Sequence, residues 1–196
     1  MNPICAKYVR LVLICLAAAA PSALCAENLQ SYHNQEFGFS FHYPGSWVIR
    51  PASVPNLQVK VGSPDTTQPA ECAVIVKRYP HAVSAKQSDI DQIFTEVPTP
   101  AELKDVLSQG ANEVEVVTAS AGTLHKRPAH WARVRYSVDT SAGKVSASGR
   151  VVMTATPGLT WTVSCSAQGD TPAKAEQSFQ FWKKEIDSLI ASFRFN

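Results

Sequence analysis

Phe37, Phe39, Phe41 and Tyr43 alternate with Gly38, Ser40 and His42, the period of a strand with one buried face. Pro44 and Gly45 follow as a turn, residues 47–49 begin a second strand, and Leu57, Val59 and Val61 alternate with Gln58 and Lys60 as a third. Residues 71–79 (ECAVIVKRY) are richer in apolar positions, which predicts a strand inside the sheet. The period then changes. Ile90, Ile93 and Phe94 form one face of a short helix over residues 88–94, opened by Ser88 as its cap. Thr99-Pro100-Ala101-Glu102 reads as a capping box with proline at the first helical position, Leu103, Val106 and Leu107 as the buried stripe, and Gly110 as the stop.

Strand periodicity returns at residues 114–118, with turns expected at Gly122 and over residues 125–128. Ala132, Val134, Tyr136 and Val138 then alternate with Trp131, Arg133, Arg135 and Ser137. Hairpin turns at residues 141–143 and at Pro157 and Gly158 separate strands over residues 145–156 and 159–167. A closing helix begins at Thr171 and Pro172 and carries the stripe Phe179, Trp182, Ile186, Leu189 and Ile190. Consecutive strands joined by short turns predict an α+β fold with a central antiparallel sheet covered by helices.

Composition fits one globular domain: 45% hydrophobic and 17% charged residues in 196 argue against disorder. Residues 1–26 read differently from the rest. Lys7 and Arg10 precede the apolar run of residues 11–20, which ends in Pro21 and small residues, the layout of a secretory signal peptide. The run is shorter than the ~20 residues a membrane-spanning helix needs. Cleavage is expected after Ala26, leaving residues 27–196 as a single domain in the periplasm or outside the cell. A lipidated Cys25 is the rival reading, disfavoured by Leu24 where a small residue is wanted. Loss of Lys7 and Arg10 cancels the formal charge of +2, so nothing points to a nucleic-acid partner. Cys5, Cys15 and Cys25 leave as well. Cys72 and Cys165 remain, both on core-facing positions, and are expected to form a disulfide, the alternative being two buried thiols.

The segment Phe37-Gly-Phe-Ser-Phe-His-Tyr-Pro-Gly-Ser-Trp47 resembles the opening of PsbP-like domains. Pro128 and Ala129, the turn at Pro157 and Gly158 before Thr160-Trp161-Thr162-Val163, and the ending Ser192-Phe193-Arg194-Phe195 are similar to later features of that superfamily. The resemblance implies an α-β-α sandwich, with the C-terminal helix on one side of the sheet and the mid-chain helices on the other. Relatives serve as an extrinsic photosystem II subunit, a Ran-binding protein, secretion chaperones and exported proteins of unassigned role, so the fold does not fix an activity.

No nucleophile elbow, phosphate-binding loop, dinucleotide fingerprint or H-E-x-x-H motif occurs. Ser46 stands in a turn without a base. His125 and His130 flank a turn, with His33 and His42 further away, and reach no set of three or four metal ligands. Glu113 and Glu115 share a face but cannot fill a hard cation's shell. The best binding candidates are Trp131, Arg133 and Arg135 on one strand face, with His130, Lys126 and Arg127 on the turn that feeds it. Arginine beside tryptophan can grip a carboxylate or phosphate against a flat apolar surface. The competing reading has Trp131 packed under a helix with the arginine stems around it. No cofactor, metal or catalytic activity is expected. The chain reads as a binding or accessory module with a protein or small-molecule partner in the cell envelope. Two alternatives stand: an extrinsic photosystem II-type subunit, and a hydrolase or metal enzyme in which His125, His130 and an acid converge.

Overall fold

The computed structural model describes residues 28–196 apart from 51, 53, 109–111 and 142, so the expected signal peptide and the Gly110 helix stop lie outside the described residues. Among the described residues ten strands and three α-helices follow in order. They are β1 (Leu29–Asn34), β2 (Phe39–Pro44), β3 (Val48–Arg50), β4 (Leu57–Gly62), β5 (Ala70–Arg78), α1 (Gln87–Ile93) and α2 (Pro100–Leu107). The chain continues with β6 (Asn112–Leu124), β7 (Arg127–Thr140), β8 (Gly143–Thr156), β9 (Leu159–Gly169), α3 (Pro172–Ser192) and β10 (Arg194–Phe195).

Seven strands form one antiparallel sheet in the order β3-β4-β5-β9-β8-β7-β6, and β1-β2-β10 form a small second sheet. Alternation sends neighbouring residues of the large sheet into separate cores. Val152 joins Phe39, Phe41, Trp161, Phe179, Ile186 and Leu189 in the major core with α3 and the small sheet. Val151, next to it in the chain, joins Leu103, Ala132 and Val134 under α2. The expected α+β sandwich, with the closing helix and the mid-chain helices on opposite faces of an antiparallel sheet, is therefore what the chain forms.

Cys72 and Cys165 stand directly opposite each other on β5 and β9, Cα atoms 4.0 Å apart, and are disulfide-bonded within the major core. Their shared side follows from pairing parity, since Val74 opposes Val163 two residues along.

Local departures from expectation have identifiable causes. The first aromatic strand begins at Phe39, because Gly38 is left-handed (φ +64°) and Phe37 donates its N–H to Asn34 Oδ1 at 2.9 Å in the turn from β1. α1 starts one residue before Ser88, and Lys86 occupies the cap without a side-chain bond, so Ser88 is not its cap. At α2 the capping box forms as expected: Thr99 Oγ1 accepts from Glu102 N, and Glu102 accepts from Thr99 N. The predicted turn at Gly122 is absent. β6 runs through it to Leu124, and the chain reverses at His125 and Lys126, both at positive φ. Gly122 serves a neighbour instead, since a Cβ there would fall 2.8 Å from the indole nitrogen of Trp131.

Candidate functional site

Trp131, Arg133 and Arg135 share the face of β7 that α3 covers, and there the arginines are bound into the protein. Arg133 Nη1 donates to Gly149 O at 2.7 Å and Val134 O at 3.1 Å, and Nη2 donates to Ser148 Oγ at 2.8 Å. Nη2 also reaches both Glu176 oxygens on α3, at 3.0 and 2.8 Å, while the guanidinium lies 3.7 Å from the Phe179 ring centroid. Arg135 sits between Glu115 at 3.7 Å and Glu176 at 3.6 Å, and Arg150 bonds Asp187. Burial would push the Glu176 carboxyl up, but hydrogen bonds from Gln180 and Ser148 and the Arg133 charge outweigh it and hold it at about 2. Trp131 packs against the major core, and its side chain is partly buried. Arg133 is thus held inside the sheet–helix layer by the Glu176 carboxylate and the Phe179 ring, while Arg135, paired with Glu115 of β6 and Glu176 of α3, keeps 43% of its side chain exposed.

His130 does not belong to that face. It alternates with Trp131 and turns to the other layer, its Nε2 3.3 Å from Ile93 O and its ring 4.6 Å from that of Phe94. His125 is drawn to the C-terminus, where its Nδ1 accepts the Phe195 N–H at 2.8 Å. The two histidines therefore engage different layers of the sandwich and do not converge with an acid. His42 pairs with Ser31 at 2.9 Å, and Ser46 is exposed in its turn. Glu113, at a bulge with φ +51°, pairs with Lys144 and Ser137, which hold its carboxyl below the usual range. Among the described residues no group of three or more His, Cys, Asp or Glu could hold a metal ion, and no helix is long and apolar enough to cross a membrane.

An open space lies on the opposite face of the sheet. Between the sheet and the segment carrying α1 and α2 is a cleft of about 790 Å³, in the range of small-molecule sites. Its roof presents Ile93, Phe94, Val97, Leu103, Val106 and Leu107. Its floor is Ile75 and Lys77 from β5, Thr160, Thr162 and Ser164 from β9, Val151 and Met153 from β8, and His130, Val134 and Tyr136 from β7. Register sets this floor in rows. Ile75, Thr162, Met153 and His130 lie side by side across four strands.

Polar bonds pin the roof at one end and packing pins it at the other. Gln87 Nε2 donates to Ala155 O at 3.2 Å, His130 meets Ile93 O, and Leu103 inserts among Ala132, Val134 and Val151. Beside these anchors apolar side chains stay open to solvent: Ile93 is 64% exposed, Val97 64% and Val106 56%. Helical periodicity placed Ile93 and Val106 on buried stripes, yet here they border the cleft. The signal that could have revealed it was a pair of short helices on a sheet face whose central strand offers hydroxyls.

No family model matches the chain, and no curated protein matches it. Among solved structures it is similar to cyanobacterial PsbP (CyanoP) from Synechocystis sp. PCC 6803, with a TM-score of 0.55 at 18% identity, over 91% of this chain and 99% of that one. It is also similar to the Ran-binding protein Mog1p of Saccharomyces cerevisiae, with a TM-score of 0.51 at 11% identity, over 87% of this chain and 96% of that one. At these identities the likeness is one of fold: a distant α-β-α sandwich shared by otherwise different proteins.

Proposed function

We propose that this chain is an exported, non-catalytic binding or accessory module of the PsbP-like kind, and that it works by holding a small molecule in the cleft under α1 and α2. The observation that carries the reading is the pairing of a roomy apolar cleft with side chains left exposed around it, on a sheet whose other face is closed. Export is supported by the amino-terminal pattern of residues 1–26, and a mature chain with a disulfide suits an oxidising compartment.

The test is binding of the neutral fluorophore Nile red to the mature chain and to Ile93→Glu and Val106→Glu. Both positions are exposed, so the variants keep the fold while placing a charge in the cleft wall. Each is expected to abolish the fluorescence gain with an unchanged thermal midpoint. Equal binding by both variants contradicts the cleft as the site.

A further inference from the structure

Resting on that reading, we infer that the cleft takes a neutral amphiphile, with a hydrocarbon body against the α1–α2 roof and an uncharged hydroxyl or ester headgroup on the hydroxyl file of β9. Two observations carry this beyond a generic apolar cleft.

The first is the placement of polar groups. Thr160, Thr162 and Ser164 face the cleft at alternate positions of one strand, which spaces them ~6.8 Å apart in a line. Ile75 and Met153 flank Thr162 across the neighbouring strands, and Ala73 and Val151 flank Ser164. Around Thr162 and Ser164 the floor is thus a narrow polar file between aliphatic borders, while Thr160, at the end of the file, lies between Lys77 and Ala155. A hydroxyl both donates and accepts, so such a file suits alcohol and ester oxygens without selecting a charge.

The second is charge. Among the described residues no arginine lines the cleft. Its charges are Lys77 from the floor and Glu96 and Glu102 from the roof. Glu102 is held ionised by the hydrogen bonds of the Thr99 cap, from its backbone first and then its hydroxyl. An anionic headgroup would meet two carboxylates and find no guanidinium fork, the group suited to carboxylates and phosphates. A cationic headgroup would find the two carboxylates on the roof, away from the hydroxyl file, whose Thr160 end lies beside Lys77 on the floor.

The experiment is displacement of Nile red from the mature chain by three probes of equal chain length below their micellar concentrations: 1-monolauroylglycerol, laurate and dodecyltrimethylammonium. The expected order places monolauroylglycerol tightest by about tenfold. Thr162→Val removes one hydroxyl at nearly constant shape and is expected to weaken monolauroylglycerol by about three- to tenfold while leaving Nile red unchanged, with Thr162→Ser restoring affinity. If laurate or the ammonium probe binds as tightly, or if Thr162→Val changes nothing, the ligand class is overturned while the cleft stands. If Ile93→Glu and Val106→Glu both bind Nile red as tightly as the parent chain, the cleft and the ligand class are overturned together.

Discussion

On one face of the seven-stranded sheet, α3 takes Phe179, Ile186, Leu189 and Ile190 almost wholly out of solvent. On the other, α1 buries no residue and α2 buries Leu103, while Ile93, Val97 and Val106 stay exposed. The fastenings differ too. α3 is clamped by the ion pairs Glu176–Arg133 and Asp187–Arg150, whereas α1 is held by the hydrogen bonds Gln87–Ala155 O and His130–Ile93 O. Both helical layers carry apolar stripes, so amphipathicity does not distinguish them. Length does. A helix of 21 residues lies across β5, β8 and β9, while helices of 7 and 8 residues joined by a connector touch the sheet at β7 and β8 and at β6 and leave space beneath. The covered face holds the fold together, and the bridged face is free to be occupied.

Truncations should separate the faces most sharply. Ile186→Ala leaves a cavity in the major core and is expected to cost about 2–5 kcal/mol in chemical denaturation. Val106→Ala removes an exposed side chain and should change stability by less than about 0.5 kcal/mol. Comparable losses at the two sites would erase the contrast.

Acid should act next, and mainly through the covered face. The Glu176 carboxyl falls from 4.5 to about 2 in the folded chain. A depressed acid stabilises the fold fully above its unfolded value and loses that contribution as pH falls from about 4.5 toward 2. With allowance for partial exposure, the contribution is on the order of 2 kcal/mol. Glu176→Gln should therefore flatten the stability profile over that window, and an unchanged profile would mean the clamp contributes nothing.

The smallest effect belongs to the C-terminal strand that closes the major core. His125 must be neutral at Nδ1 to accept the Phe195 N–H, and burial, then Arg194, Lys126 and Arg127, hold its pKa below 6.5. A lowered histidine stabilises the fold above its unfolded value, and that contribution is lost as pH falls below 6.5. Hydrogen exchange at Phe195 should quicken relative to Ile190 between pH 7 and 5. A constant ratio, after correction for the intrinsic rates, would contradict the clasp.

The sheet was legible because its signal is local. The alternation in β2, β7 and β9, the proline-glycine turn before β9 and the capping box of α2 each encode their own geometry, and pairing parity then brings Cys72 to Cys165. What escaped depends on partners distant in the chain. β1 is an edge strand of mostly exposed residues whose one ring in contact, Tyr32, meets Phe39 and Phe41. Gly122 looks like a turn until Trp131 is laid over it. Residue type alone marks Trp131, Arg133 and Arg135 as binding candidates. The three sit together as the alternation required, but whether a helix would cover them depended on Glu176 and Phe179, more than 40 residues away. The cleft was illegible for the converse reason: periodicity marks which face of a short helix is apolar and says nothing of how closely the sheet approaches it.

The most direct test of this division of the sheet is a map of amide chemical-shift changes on adding Nile red to the mature chain. The account predicts changes clustered at Ile75, Ile93, Val106, Met153 and Thr162, with Phe179, Ile186, Arg133 and Arg135 unmoved. Changes centred on α3 and the Trp131, Arg133 and Arg135 face, with the cleft silent, would contradict it.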